Sequence, residues 1–178
     1  MKAKQTFLAA MGLLALLLLL PFVPEFLMTM LKINGIGAEF EKFSASGKDR
    51  IYSSLDSMLI NRVAADQPIA QRVKSVNIMD ADFAESDFSA LEQLPNLEEL
   101  IIYTCRHCDA IVPVMNRLPR LTKITFDDCG LSDAGFDQLN HPGLQSFGMS
   151  ACVKDWTDET VTRLQERIPA CSFEIKAQ

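Results

Sequence analysis

The chain has 178 residues, 48% of them hydrophobic, with 17 basic against 23 acidic side chains and a formal net charge of −6. Setting aside Lys2, Lys4, Lys32 and Glu25 near the amino terminus leaves 14 basic and 22 acidic residues, a net of −8. That balance argues against nucleic acid, where Lys and Arg must neutralise phosphates, and against an anionic headgroup surface as partner of the remaining domain.

Lys2 and Lys4 precede an uncharged run from Phe7 to Pro24 centred on Leu13-Leu14-Ala15-Leu16-Leu17-Leu18-Leu19-Leu20. Its length is at the lower edge of what spans a bilayer, and continuing to Leu31 adds only Glu25 as a charge. No small-x-small cleavage site follows Leu20, which favours an uncleaved signal anchor over residues 1–33 rather than a removed signal peptide. Lysines ahead of the run keep the amino terminus in the cytoplasm, so the expected protein is single-pass, with its folded domain on the non-cytoplasmic side. Cleavage would instead make it secreted or periplasmic.

Residues 34–72 read as a linker and a capping helix. Asn34-Gly35-Ile36-Gly37 and Ser44-Ala45-Ser46-Gly47-Lys48 have turn chemistry. Ile51, Leu55, Met58 and Leu59 recur at helical spacing and predict an amphipathic helix over about residues 49–65. Pro68 ends it.

From residue 73 to 178 one spacing recurs: apolar-x-x-apolar-x-apolar-x-x-Cys/Ala. The copies are Val73–Val76–Ile78–Ala81, Leu97–Leu100–Ile102–Cys105, Leu121–Ile124–Phe126–Cys129 and Leu144–Phe147–Met149–Cys152, offset by 24, 24 and 23 positions. A unit of this size cannot bury its own apolar face, so copies must stack. Alternation along each predicted strand points Leu100 and Ile102 inward and Glu99, Ile101 and Tyr103 outward. After Cys129 the chain turns into a short predicted helix, Asp133 offering its cap and Phe136 and Leu139 facing the core. Pro95, Pro119, Pro142 and Pro169 return the chain to the next strand, the last being a shortened one at Cys171–Ile175.

The strand pattern ending in Cys, followed by Gly130-Leu131-Ser132-Asp133-Ala134-Gly135-Phe136, resembles the cysteine-containing class of leucine-rich repeats found in F-box proteins, over about residues 73–175. The resemblance implies an α/β solenoid, with parallel strands on a concave face and helices on a convex one, that works in protein recognition. No F-box-like opening precedes the repeats, so no ubiquitin-ligase role is implied.

Outward strand positions form three expected rows: Ser75/Glu99/Lys123/Ser146, Asn77/Ile101/Thr125/Gly148 and Met79/Tyr103/Asp127/Ser150. Met79, Glu99, Ile101, Tyr103, Lys123, Thr125 and Asp127 are the expected partner-binding residues. Apolar surface turned to water, with Tyr prominent, is typical of interfaces.

Cys105, Cys129 and Cys152 share one repeat position and read as buried fillers whose parallel side chains disfavour disulfides. Cys105-Arg106-His107-Cys108 raises a thiol-redox alternative, with Cys108 at the surface. Zinc would need further ligands, and only His107 and His141 are histidines. No metal, cofactor or small-molecule substrate is expected, and no constellation supports an enzyme. The expected function is a membrane-tethered scaffold or recruitment module, with an assembly factor or accessory subunit of a membrane complex as the alternative.

Overall fold

The computed structural model describes residues 23–54, 57–152 and 156–177. The chain divides into two compact units between Glu41 and Lys42. The apolar run expected to anchor the chain lies almost wholly outside the described residues. Among those described, no helix is long and apolar enough to cross a membrane.

Helix α1 (Val23–Ser46) continues through Asn34–Gly37, where the sequence predicts a linker. A glycine within a helix costs only about 1 kcal/mol relative to alanine, and the flanking Ala38, Glu39, Phe40, Glu41 and Lys42 sustain the turn. Gly47, at φ +67°, ends it in the left-handed conformation that glycine adopts freely.

The second unit is α/β, built on a six-stranded, all-parallel sheet in chain order. Its strands are β1 (Arg50–Ser54), β2 (Ser75–Met79), β3 (Glu99–Tyr103), β4 (Lys123–Asp127), β5 (Ser146–Cys152) and β6 (Ser172–Ala177). Between them run α2 (Met58–Ala64), α3 (Gln67–Ala70), α4 (Val112–Met115), α5 (Asp133–Gln138) and α6 (Asp158–Arg167), with 3-10 turns at Ser89–Gln93 and Cys108–Ile111. The helix expected over 49–65 is therefore corrected: its first part is strand β1, and helix begins only at Met58. Ile51 pairs in register with Val76 and is buried, as an inward strand residue must be. One backbone device marks β1 as a further copy of the coil. Lys74 and Ser75 N–H both donate to Asp49 O, as Glu98 and Glu99 do to Lys74 O, and Thr122 and Lys123 to Glu98 O.

Every interior strand residue of β2–β5 at the repeated apolar positions is buried. Opposite them lie Leu91, Ile111, Phe136 and Leu164 from the helical segments. Burial of this shared interior is what holds stacked coils together, at roughly 25 cal/mol per Å² of apolar surface. In the later coils it is aromatic: Phe147 lies 5.9 Å from Phe126, 5.8 Å from Phe136 and 5.9 Å from Phe173 between ring centres.

Strands β2, β3 and β4 each meet a left-handed residue at the turn (Asp80, Thr104 and Asp128), and β5 holds one, Ala151, at its register irregularity before Cys152, all with φ near +50°. The first three donate N–H to the neighbouring coil (Tyr103 O, Asp127 O and Ser150 O, each at 3.0 Å). Because the conformation recurs in four coils, the strain of a β-branched Thr104 there belongs to the architecture.

Candidate functional site

Two places carry unusual chemistry: the outward face of the sheet and the turn row holding the thiols. The register aligns the outward residues as the sequence predicts. Ser75, Glu99, Lys123 and Ser146 form one row, Asn77, Ile101, Thr125 and Gly148 a second, and Met79, Tyr103, Asp127 and Ser150 a third. Strand β1 extends the first two rows with Arg50 and Tyr52. Tyr52 was not among the expected site residues, because its segment fitted a helical period. It is 57% exposed, against 37% for Met79 and 38% for Tyr103. Ile101 and Thr125 are only half-exposed between their neighbours. The apolar surface is thus a diagonal from Tyr52 through Met79 to Tyr103, with Ile101 beneath.

The strand-entry edge is closed electrostatically on itself. Glu99 accepts from Arg50 at 2.7 Å, Lys123 at 2.9 Å and the Ser75 hydroxyl at 2.8 Å. Burial opposes ionisation of Glu99, but hydrogen bonds from Lys123 and Ser75 and the charges of Lys123 and Arg50 outweigh it, and its carboxyl is held below the ordinary range. At the exit edge Asp127 accepts from Ser150 Oγ at 3.0 Å, and its carboxylate beside Tyr103 raises the Tyr103 pKa. Farther along, a shallow groove of about 330 Å³ opens over Lys123, Thr125, Ser146, Gly148, Ser150 and Glu174. Its floor is low because Gly148 has no side chain.

The thiol row behaves differently. Cys105 donates to Tyr103 O at 3.1 Å, Cys129 to Ile102 O at 3.5 Å, and Cys152 to Ser150 O at 3.1 Å and to the Cys129 carbonyl. Each thiol thus satisfies turn carbonyls, the role a small buried polar-tipped hydrophobe suits. All five cysteines are free. Burial pushes Cys105 and Cys152 up to about 11. Cys108, expected at the surface, is buried. His107 in the left-handed conformation opens a 3-10 turn that folds Cys108 inward, where its thiol meets Cys129. The neighbouring Cys129 thiol first, and burial second, hold Cys108 far above its ordinary range, while the Cys108 thiol lowers Cys129. Neither member of the Cys105–Cys108 pair has the accessible, low-pKa thiolate that redox exchange requires.

Carboxylates behind the turns tie coil to coil. Asp109 accepts from Ser132 N at 3.0 Å and from the Ser132 hydroxyl, and Asp133 accepts from Thr157 N at 2.8 Å. Asp133, expected to cap α5, leaves that position to Ser132, whose oxygen accepts from Ala134 and Gly135 N–H. Among the described residues no cluster of His, Cys, Asp and Glu could hold a metal ion. No protein-family model matches the chain, and no curated protein is detectably similar to it.

Proposed function

We propose that this chain is a short leucine-rich-repeat solenoid that binds a protein partner on its concave strand face and acts as a scaffold or recruitment module. Tethering to a membrane by the apolar run Phe7–Pro24, with the coils on the non-cytoplasmic side, completes the reading. The observation that carries it is the exposed diagonal Tyr52, Met79, Tyr103 on coils whose interior needs none of the three. Large apolar side chains clustered on an open sheet face, with acidic groups around them, are the composition of a recognition surface. The thiols favour this over redox work, since each has a structural hydrogen bond inside the turns.

The test is crosslinking from intact cells followed by capture, comparing the native chain with Tyr103→Ala/Ile101→Ser. The double variant should lose a specific crosslinked partner while keeping its thermal transition. A control, Arg117→Ala on the helical side, should keep the partner. Undiminished capture by the double variant refutes the concave-face reading.

A further inference from the structure

The stack of coils ends on a strand with one side open. Strand β6 is the last of the sheet, and among the described residues no strand lies along its far side. Phe173 and Ile175 continue the inward rows of Phe147 and Met149, which are buried, yet both are only half-buried themselves. The interior is closed at the other end, where Ile51, the inward residue of β1, is 1% exposed. Apolar residues on an open sheet edge invite a further strand, and natural edges that stay single carry charge to repel one. The charges on β6 are Glu174 and Lys176, which bond each other at 2.5 Å and are both well exposed.

Which backbone groups are free follows from the ladder. Ser172 N–H donates to Gln145 O at 2.9 Å, and Glu174 O lies toward Gly148 of β5, 3.9 Å from where a Cβ would stand there. Successive residues of a strand direct N–H and C=O to alternate sides, so Phe173, Ile175 and Ala177 turn theirs to the open side. An antiparallel copy of β6 bonds them only where two open-side residues stand opposite each other. Within β6, the two-fold axes that bond more than one such residue pass through Glu174, Ile175 or Lys176. The first sets Glu174 against its own copy and the third sets Lys176 against its own copy, like charges face to face. The axis through Ile175 pairs Ile175 with itself and Phe173 with Ala177, engaging every open-side residue. It also places Glu174 opposite Lys176 on both sides of the axis. Those contacts fall at non-hydrogen-bonded positions, where Cα atoms come closest, at about 4.5 Å.

We infer that β6 is the interface of a homodimer, in which a second copy of this chain adds its own β6 antiparallel about a two-fold axis through Ile175. The two sheets become one, and the inward side of each copy's last coil is covered by the other's. Each Glu174 exchanges the Lys176 on its own strand for the Lys176 of the second copy. The contact is isologous and therefore stops at two chains. It uses the sheet edge rather than the concave face, and it stands without the partner proposed above.

Charge reversal on the 178-residue chain, held in a mild non-ionic detergent and sedimented over a concentration series, tests this. The native chain should pass from monomer to dimer. Lys176→Glu should weaken the dimer by about tenfold or more, because symmetry then sets two acidic pairs across the edge. Glu174→Lys should do the same, and Glu174→Lys/Lys176→Glu should return to within about threefold of the native chain. The register is read separately by mild oxidation. A mixture of Glu174→Cys and Lys176→Cys chains should give a disulfide-linked dimer. Either chain alone should not, since its two introduced thiols sit on Cα atoms on the order of 8 Å apart, beyond disulfide reach. A native chain that stays monomeric throughout would overturn the second copy as occupant and leave the edge to a strand of another protein. A dimer indifferent to the single reversals, as one held by the apolar run Phe7–Pro24 would be, would overturn the assignment to β6. Failure of the double reversal to restore the dimer, or crosslinks that do not need the mixture, would overturn the pairing about Ile175.

Discussion

The first three strands and the last three are built on the same coil but place their aromatic residues on opposite sides. In β1–β3 the inward positions are aliphatic (Ile51, Val76, Ile78, Leu100, Ile102), while Tyr52 and Tyr103 face out. In β4–β6 the rings turn inward as Phe126, Phe147 and Phe173, and the outward residues are Lys123, Thr125, Ser146, Gly148, Ser150 and Glu174. In the first half the aliphatic inward strand residues, with Phe83 and Phe88 from the segment after β2, fill the interior without the two tyrosines. Its outward tyrosines are therefore surplus to packing, which is the physical basis for assigning them to recognition. In the second half the rings are needed inside, beside the closing coil with Trp156, and the outer face is left polar.

The largest expected effect lies in that aromatic interior. Phe147→Ala removes the ring that touches three others and should destabilise the chain by about 3–5 kcal/mol. Val76→Ala, in the same inward row of the aliphatic half, should cost less because fewer atoms leave. Denaturant unfolding of both variants checks the contrast, and equal losses would erase it.

Gly135→Ala is expected next, at about 1–3 kcal/mol. An added Cβ there meets the Asp109 carboxylate, with Leu131 Cβ at 3.1 Å, and Asp109 cannot swing aside without losing Ser132. The same measurement applies, and an unchanged midpoint would mean that the coil-to-coil carboxylates are dispensable.

A smaller effect comes from Glu99, which joins the two halves by bonding Arg50, Ser75 and Lys123. Its folded-state pKa lies below its ordinary value of 4.5. Its contribution is therefore present above that value and is lost as pH falls through the lowered folded value. Glu99→Gln should lower stability modestly at neutrality, where the ionised carboxylate is bonded, and flatten the acid limb so that variant and native chain converge as pH falls below about 4.5. An acid limb of unchanged slope would show that the bridge between the halves carries no net stability.

Sequence legibility followed the same division. Strands β2–β5 and their three outward rows were readable because two inward apolar residues, a Cys or Ala, and a fixed offset recur together. Strand β1 was not. It has one inward apolar residue, Ile51, and Ser53 where other coils have a second, while Ile51, Leu55, Met58 and Leu59 also fit a helix. Losing that strand lost Tyr52, and with it the extent of the diagonal. That the Asn77 amide oxygen is buried with no hydrogen-bond partner among the described residues had no sequence signal, since it depends on which neighbours fail to reach it. The meeting of Cys108 with Cys129 depends on the left-handed turn at His107, a conformation that residue type alone does not specify.

The most direct measurement is the unfolding free energy of Tyr52→Ser/Tyr103→Ser beside that of the native chain. If the outward rings are surplus to packing, the two should agree within about 1 kcal/mol, the sum of two ordinary surface substitutions at roughly 0.5 kcal/mol each. A loss of about 3 kcal/mol or more, the size of a core truncation, would show that these rings shield the interior. It would contradict their assignment to a recognition surface.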